Sequence, residues 1–188
     1  MKRVVRWAGA VLGFLAFLML VTIGIGVGLP MYHVATCSAA FPQPAAELFS
    51  AVADDASSPA WRGDVTKVVP MRGDRGKQVW VETNKDGQTV AYVEFQRVPN
   101  RKIARAIQDT TLPYGGQWEY LFRPAGGGTT LTITETGWIY NPIFRLVEHF
   151  FIGYTGTIHR YLADLGAKYS ETPAISCTTK TYSSGIPK

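Results

Sequence analysis

The sequence predicts an α+β protein, a curved antiparallel sheet wrapped around a long C-terminal helix and preceded by one transmembrane helix. Three observations carry this. An uncharged run of 23 residues, Trp7–Leu29, opens the chain. Short strand-like segments joined by turn signals fill the middle. An apolar stripe at steps of three and four closes it, through Ile143, Val147, Phe150, Tyr154, Ile158, Tyr161 and Leu165. A sheet with one apolar face must bury that face, and one amphipathic helix can cover it.

The opening run would be roughly 34 Å long as a helix, enough to span a hydrocarbon core of about 30 Å. Lys2, Arg3 and Arg6 precede it, and no Lys or Arg follows until Arg62. Positive flanks stay cytoplasmic, which places the N-terminus inside and the domain outside. Two rivals share the apolar signal. A cleaved signal peptide normally carries a shorter apolar region of about 7–15 residues, and no small-x-small site follows directly. A lipoprotein cysteine at Cys37 would follow Thr36, a poor fit. Without the anchor the formal charge falls from +5 to +2, because three cations leave and no anion does. The basic balance is therefore partly an orientation signal, and no nucleic-acid motif accompanies it. The chain divides into residues 1–30 (flank and membrane helix), 31–169 (folded domain) and 170–188 (a polar tail).

Within the domain, Met31–Phe41 reads as a strand, broken by Pro42-Gln43-Pro44. Pro44 suits a first helical position, and Ala46, Leu48, Phe49 and Val52 follow at helical spacing. Six strand-like runs come next: Val65–Met71, Lys77–Thr83, Gln88–Val98, Lys102–Gln108, Gln117–Arg123 and Thr129–Trp138. Arg72-Gly73-Asp74, Asp86-Gly87, Pro99-Asn100 and Gly126-Gly127-Gly128 punctuate them, a meander pattern. Asn141-Pro142 reads as a cap and first position of a helix running to about Tyr169, with an interruption possible at Gly153–Gly156.

Several stretches then meet a known family. Phe41-Pro42-Gln43-Pro44-Ala45-Ala46-Glu47-Leu48-Phe49, Pro59-Ala60-Trp61, Gly116-Gln117-Trp118-Glu119-Tyr120, Thr130–Gly137 and Asn141–Arg145 occur in the order and spacing of the START-like, or SRPBCC, superfamily. From Tyr32 to Tyr169 the chain resembles this polyketide cyclase/dehydrase and lipid-transport group. The resemblance implies a helix-grip fold with an internal cavity. It also implies a hydrophobic ligand such as a sterol, phospholipid, isoprenoid quinone or polyketide, with cyclisation or dehydration in a minority of members.

Strand alternation assigns the cavity face. Trp118, Tyr120 and Phe122 share one face, as do Leu131, Ile133 and Glu135. Ala91, Val93 and Phe95 oppose Tyr92, Glu94 and Gln96, and the apolar sets should face the helix. With Trp61, Phe150, Tyr154 and Tyr161 these residues make a candidate ligand wall, or simply fill a core. Glu135 would be a carboxylate on an apolar face, needing a partner or a raised pKa. It is the one candidate acid/base, or it sits hydrogen-bonded at the rim. Arg105 shares a face with Ile103 and Ile107 and is a possible partner for it. His33, His149 and His159 form no metal spacing or nucleophile motif, and no metal or cofactor is expected. Cys37 and Cys177 can pair outside the cytoplasm, but spacing alone does not bring their Cα atoms within reach.

These readings leave three functions open: a membrane-anchored binding module for a hydrophobic small molecule or lipid, a cyclase/dehydrase-type enzyme using Glu135, and an envelope domain that binds a protein of unknown kind. The topology is directly testable. A reporter active only outside the cytoplasm should be active when fused after Lys188, and one active only in the cytoplasm should be silent; the reverse pattern overturns the assigned orientation.

Overall fold

The computed structural model describes residues 2–73 and 76–186. Helix α1 spans Lys2–Gly28. Within it the 20 residues Gly9–Gly28 are long and apolar enough to cross a membrane, and almost all are exposed; an anchor and a signal sequence share this composition. The far end of α1 rests on the folded domain. A Cβ at Gly26 would overlap the backbone of Pro142, so only glycine permits this approach.

The domain is built on one eight-stranded sheet in which every pairing is antiparallel. Its strands are β1 (Tyr32–Phe41), β2 (Val65–Arg72), β3 (Gln78–Asn84), β4 (Thr89–Val98), β5 (Lys102–Ile107), β6 (Tyr114–Ala125), β7 (Gly128–Ile139) and β8 (Ile175–Tyr182). The spatial order is β2-β3-β4-β5-β6-β7-β1-β8. The first seven follow the segments read from sequence. The Arg72-Gly73-Asp74 turn runs out of the described residues at Asp74.

Strand β8 lies where the sequence reads as a polar tail. Thr178, Thr179 and Thr181 are β-branched and suit an edge strand, and β8 pairs along β1 from Tyr32↔Tyr182 to Ala39↔Ile175. Cys37 and Cys177 are register partners with Cα atoms 4.1 Å apart, joined by a disulfide across 140 residues of sequence. Closing a loop of that size removes unfolded-state entropy worth roughly 5 kcal/mol in the chain-entropy picture.

The helices sit on the concave face. Helix α2 (Ala45–Ala53) buries Leu48, Phe49 and Val52, and a 3-10 turn (Asp55–Ala60) follows. The long C-terminal helix expected from the stripe is instead three pieces: α3 (Pro142–Val147), a π turn (Glu148–Ile152) and α4 (Gly156–Lys168). Asn141 caps α3, its Oδ1 accepting from the backbone of Ile143 at 2.8 Å and Phe144 at 3.2 Å. Gly153 ends the π turn with φ +77°, a conformation that side chains disfavour. The glycines thus mark a full break in the helix rather than a kink along a curved sheet. A Cβ on Gly156 would meet only Ile152 at an ordinary 3.8 Å. Beyond the break, Ile158, Leu162 and Leu165 pack with Ala35, Cys37, Leu131, Ile133 and Phe122 into the main core.

The disulfide yields a prediction. Protein denatured without reductant should present no titratable thiol. Replacing Cys37 and Cys177 together by serine should lower stability by several kcal/mol, up to about 5, measured by urea unfolding. Two titratable thiols in the unreduced wild type would contradict the pairing.

Candidate functional site

Around β3 to β5 the inner face is polar and aromatic rather than aliphatic. Trp80 and Glu82 point inward from β3, Tyr92 and Glu94 from β4, and Arg105 from β5. Against them lie Trp118 and Tyr120 of β6, Ile133 of β7, and Thr157, Ile158 and Tyr161 of α4. Arg62 and Asp64, from the segment leading into β2, complete the lining of a cavity of about 130 Å³ between sheet and α4. Thr157 is exposed and marks its opening. The aromatic wall has two parts: Trp80 stacks on Tyr92, which meets Trp118, and Tyr120 meets Tyr161.

Two guanidinium groups organise this wall. Arg62 holds Asp64 through Nε and Nη2 (3.2 and 2.9 Å) and both oxygens of Glu82 through Nη1 (3.1 and 2.9 Å). The indole of Trp80 also donates to Glu82, at 3.0 Å. Arg105 is buried; its Nη2 donates to the Val52 carbonyl at 2.7 Å and lies 2.9 Å from Asp55 Oδ1. Its guanidinium sits 5.0 Å from the Trp80 ring centroid and 5.3 Å from that of Tyr120, cation–π distances. Arg97 holds Glu94 through two hydrogen bonds of 2.6 and 2.8 Å. Bidentate pairs of this kind fix both partners in place. Burial pushes the Asp55 carboxyl up to about 7, outweighing the attraction of Arg105, and Glu82 and Glu94 push the same way. Burial likewise drives the phenols of Tyr120 and Tyr161 upward, keeping them neutral donors.

The candidate residues scatter around this site. Trp118, Tyr120, Ile133 and Tyr161 line the cavity. Trp61 stands behind it, edge-on to Tyr161 at 5.2 Å. Phe122 packs on Phe49, and Leu131 is fully buried in the core. Two assignments are corrected. Phe95 is 49% exposed on the outer face, because β4 turns Tyr92 and Glu94 inward and its pairing with β5 shifts register between Glu94 and Gln96. Phe150 is 61% exposed, because the break at Gly153 takes it out of phase with α4. Arg105 pairs with Asp55, not with Glu135. Glu135 is largely buried with His33, whose Nε2 lies 3.3 Å from Oε1, while the Thr157 hydroxyl donates to Oε2 at 3.4 Å. A Cβ on Gly137 would overlap the His33 ring. Tyr154 stacks on that ring at 4.5 Å. Sequence reading did not select Arg62, Asp64, Trp80, Glu82, Tyr92 or Thr157 for the site. The one available signal was that Trp80 and Glu82 stand two apart, so that they share a strand face.

Residues 33–169 match the family described as polyketide cyclase / dehydrase and lipid transport, and the chain belongs to it. No curated protein matches the chain. Among solved structures, it is similar to a START superfamily protein from Mycobacterium smegmatis, at 14% identity and TM-score 0.56, covering 73% of this chain and 97% of that one. It is similar to Ara h 8.0201 at 17% identity and TM-score 0.55, covering 74% and 99%. It is also similar to the di-domain ARO/CYC protein StfQ from the steffimycin biosynthetic pathway, at 14% identity and TM-score 0.59, covering 76% of this chain but 51% of that one. The chain thus spans about half of StfQ. These likenesses establish the START-like fold that the polar cavity occupies.

The position of Asp55 sets a pH dependence. Its folded pKa, about 7, lies above the ordinary 3.8, so its contribution favours the folded state fully below about pH 4 and is lost as pH rises to about 7. The loss is of order 4 kcal/mol at 1.36 kcal/mol per unit. Asp55→Asn removes this slope. Urea unfolding of the detergent-solubilised protein from pH 4 to 8 should show the wild type losing stability relative to Asp55→Asn with rising pH; parallel curves would refute the assignment.

Proposed function

We propose that this protein is a membrane-anchored binding module for a small hydrophobic molecule bearing at least one hydrogen-bond acceptor. The anchor is the Trp7–Leu29 run, with the N-terminus cytoplasmic and the domain outside. The observation that carries the proposal is the cavity itself: an aromatic wall beneath α4 with two fixed guanidinium groups set in it. Ligand sites are mostly apolar clefts with a few placed polar groups, and this lining has that character. The Nε–H of Arg105 is buried with no hydrogen-bond partner among the described residues, Glu94 Oε2 standing 3.8 Å away, a donor that a ligand oxygen would satisfy. At about 130 Å³ the space is below the roughly 300 Å³ of common ligand pockets. That size favours a compact ring system, or the head of a longer isoprenoid or polyketide-like molecule whose remainder emerges past Thr157.

A second reading is acid–base chemistry of the cyclase/dehydrase type. The His33–Glu135 pair supports it, because Thr157 joins that pair to the cavity mouth. Under this reading Glu135→Gln would abolish turnover of a bound polyketide without weakening its binding.

The binding reading is tested with 2-naphthol as probe, by calorimetry on the full-length protein in detergent. The wild type should bind at one site, and Thr157→Trp, which fills the mouth from an exposed position, should weaken binding at least tenfold, about 1.4 kcal/mol. No binding by the wild type, or equal binding by both proteins, counts against the proposal.

A further inference from the structure

Seven large apolar residues lie exposed in one short stretch: Tyr140, Ile143, Phe144, Val147, Phe150, Phe151 and Ile152. Phe151 is 78% exposed, more than any other large apolar residue noted outside α1. The stretch covers α3 and the π turn, and it follows directly on β7. Isolated exposed apolar residues are ordinary, but a contiguous patch marks a contact surface.

The position of the patch says what covers it. Helix α1 packs against α3 through Gly26 and Pro142. Arg145 is buried at this junction, its Nε donating to the Ile139 carbonyl at 2.8 Å and its Nη2 to the Tyr140 carbonyl at 3.1 Å, with Nη1 3.5 Å from the Gly26 carbonyl. The end of α1 is therefore fixed to the start of the patch. A hydrocarbon core of about 30 Å takes about 20 residues at 1.5 Å each. Counted from Trp7, an aromatic suited to one interface, the opposite boundary falls at about Val27. Gly26 and the Pro142 it touches are then at the outer edge of the hydrocarbon.

We infer that Tyr140–Ile152 is an interfacial element, seated in the outer boundary of the same bilayer that α1 crosses, with Phe150, Phe151 and Ile152 among the lipids. The partner is lipid acyl chain and headgroup boundary. The one anion in this stretch, Glu148, is half-buried, and its one Arg, Arg145, is buried, so its binding is apolar and independent of anionic lipid. Burial and the neighbouring Glu135 both push the Glu148 carboxyl upward, which lowers the cost of holding it near lipid. Gly153 then turns the chain out of this layer into α4, whose Thr157 opens the cavity. Thr157 is four residues beyond Gly153, so the cavity mouth lies near this layer, where an apolar ligand is concentrated. This inference rests on the anchored reading of α1.

The test uses the full-length protein in phosphatidylcholine vesicles. Both native cysteines are in the disulfide, so Phe151→Cys provides one site for an environment-sensitive dye. Arg101→Cys, in the β4–β5 turn at the opposite end of the sheet from Ile139, provides the control. Interfacial helices sit roughly 5–10 Å into the headgroup and acyl boundary. The dye at Phe151→Cys should have blue-shifted emission and lose most of it when the acyl chains are brominated, while the dye at Arg101→Cys should lose none. Flotation with the vesicles reports α1 separately. Vesicle-bound protein whose Phe151→Cys dye is unquenched overturns the interfacial element alone. Protein that fails to float, with α1 intact by mass, overturns it together with the anchor.

Discussion

Arg105 is a permanently charged group that the fold places in the interior, and a buried charge must be matched or the structure opens. Its partners come from well-separated parts of the chain. Val52 lies in the last turn of α2, Asp55 begins the 3-10 turn, and Trp80 and Tyr120 belong to strands on either side of the sheet centre. One side chain therefore ties the helical layer to the concave face and braces two aromatic rings. Removing the guanidinium alone, which strands the carboxylates around it, typically costs 3–5 kcal/mol, comparable to the disulfide that fixes the opposite edge.

That constraint also explains why the interior is divided. Toward β6, β7, β1 and α4 the concave face is aliphatic and closely packed, with Leu131, Ile133, Ile158, Leu162 and Leu165 buried. Toward β3 and β4 it carries Glu82 and Glu94, held by Arg62 and Arg97. Ion pairs fixed by bidentate geometry do not collapse around a void as aliphatic side chains would. The cavity sits where the two halves meet, with aromatic walls and charged corners. A binding role draws on both: the rings supply contact area, and the guanidinium groups supply orientation.

The features legible in sequence were those encoded locally. An uncharged run announces α1. Asp86-Gly87 and Gly126-Gly127, with positive φ at Gly87, Gly126 and Gly127, announce two hairpins. On β6 and β7 the alternation is plain: Trp118, Tyr120 and Ile133 share the concave face, while Thr132 faces outward and bonds Ser38 of β1. The same rule inverted β4: Glu94 is tolerated inside because Arg97 of the same strand holds it and Arg105 of β5 lies 3.8 Å away, and a partner brought in by another strand leaves no mark on β4 itself. Arg62 and Asp55 lie in turns, where no strand alternation assigns a face. The stripe through Phe150 had helical spacing, yet Gly153 resets the phase, and the residues beyond it answer to a different surface. Strand β8 escaped because an edge strand of threonines reads as a loop until its partner, β1, is known.

The central claim is that the cavity is a ligand site held open by the Arg105 network, and the most direct measurement replaces that network by apolar groups of similar shape. In the Arg105→Met, Asp55→Leu double variant no charge is left stranded between the two, and apolar replacement of a buried pair is often neutral or stabilising. Affinity for 2-naphthol should fall at least about tenfold, or 1.4 kcal/mol, while cooperative unfolding is retained. Unchanged affinity in a folded double variant would contradict the account.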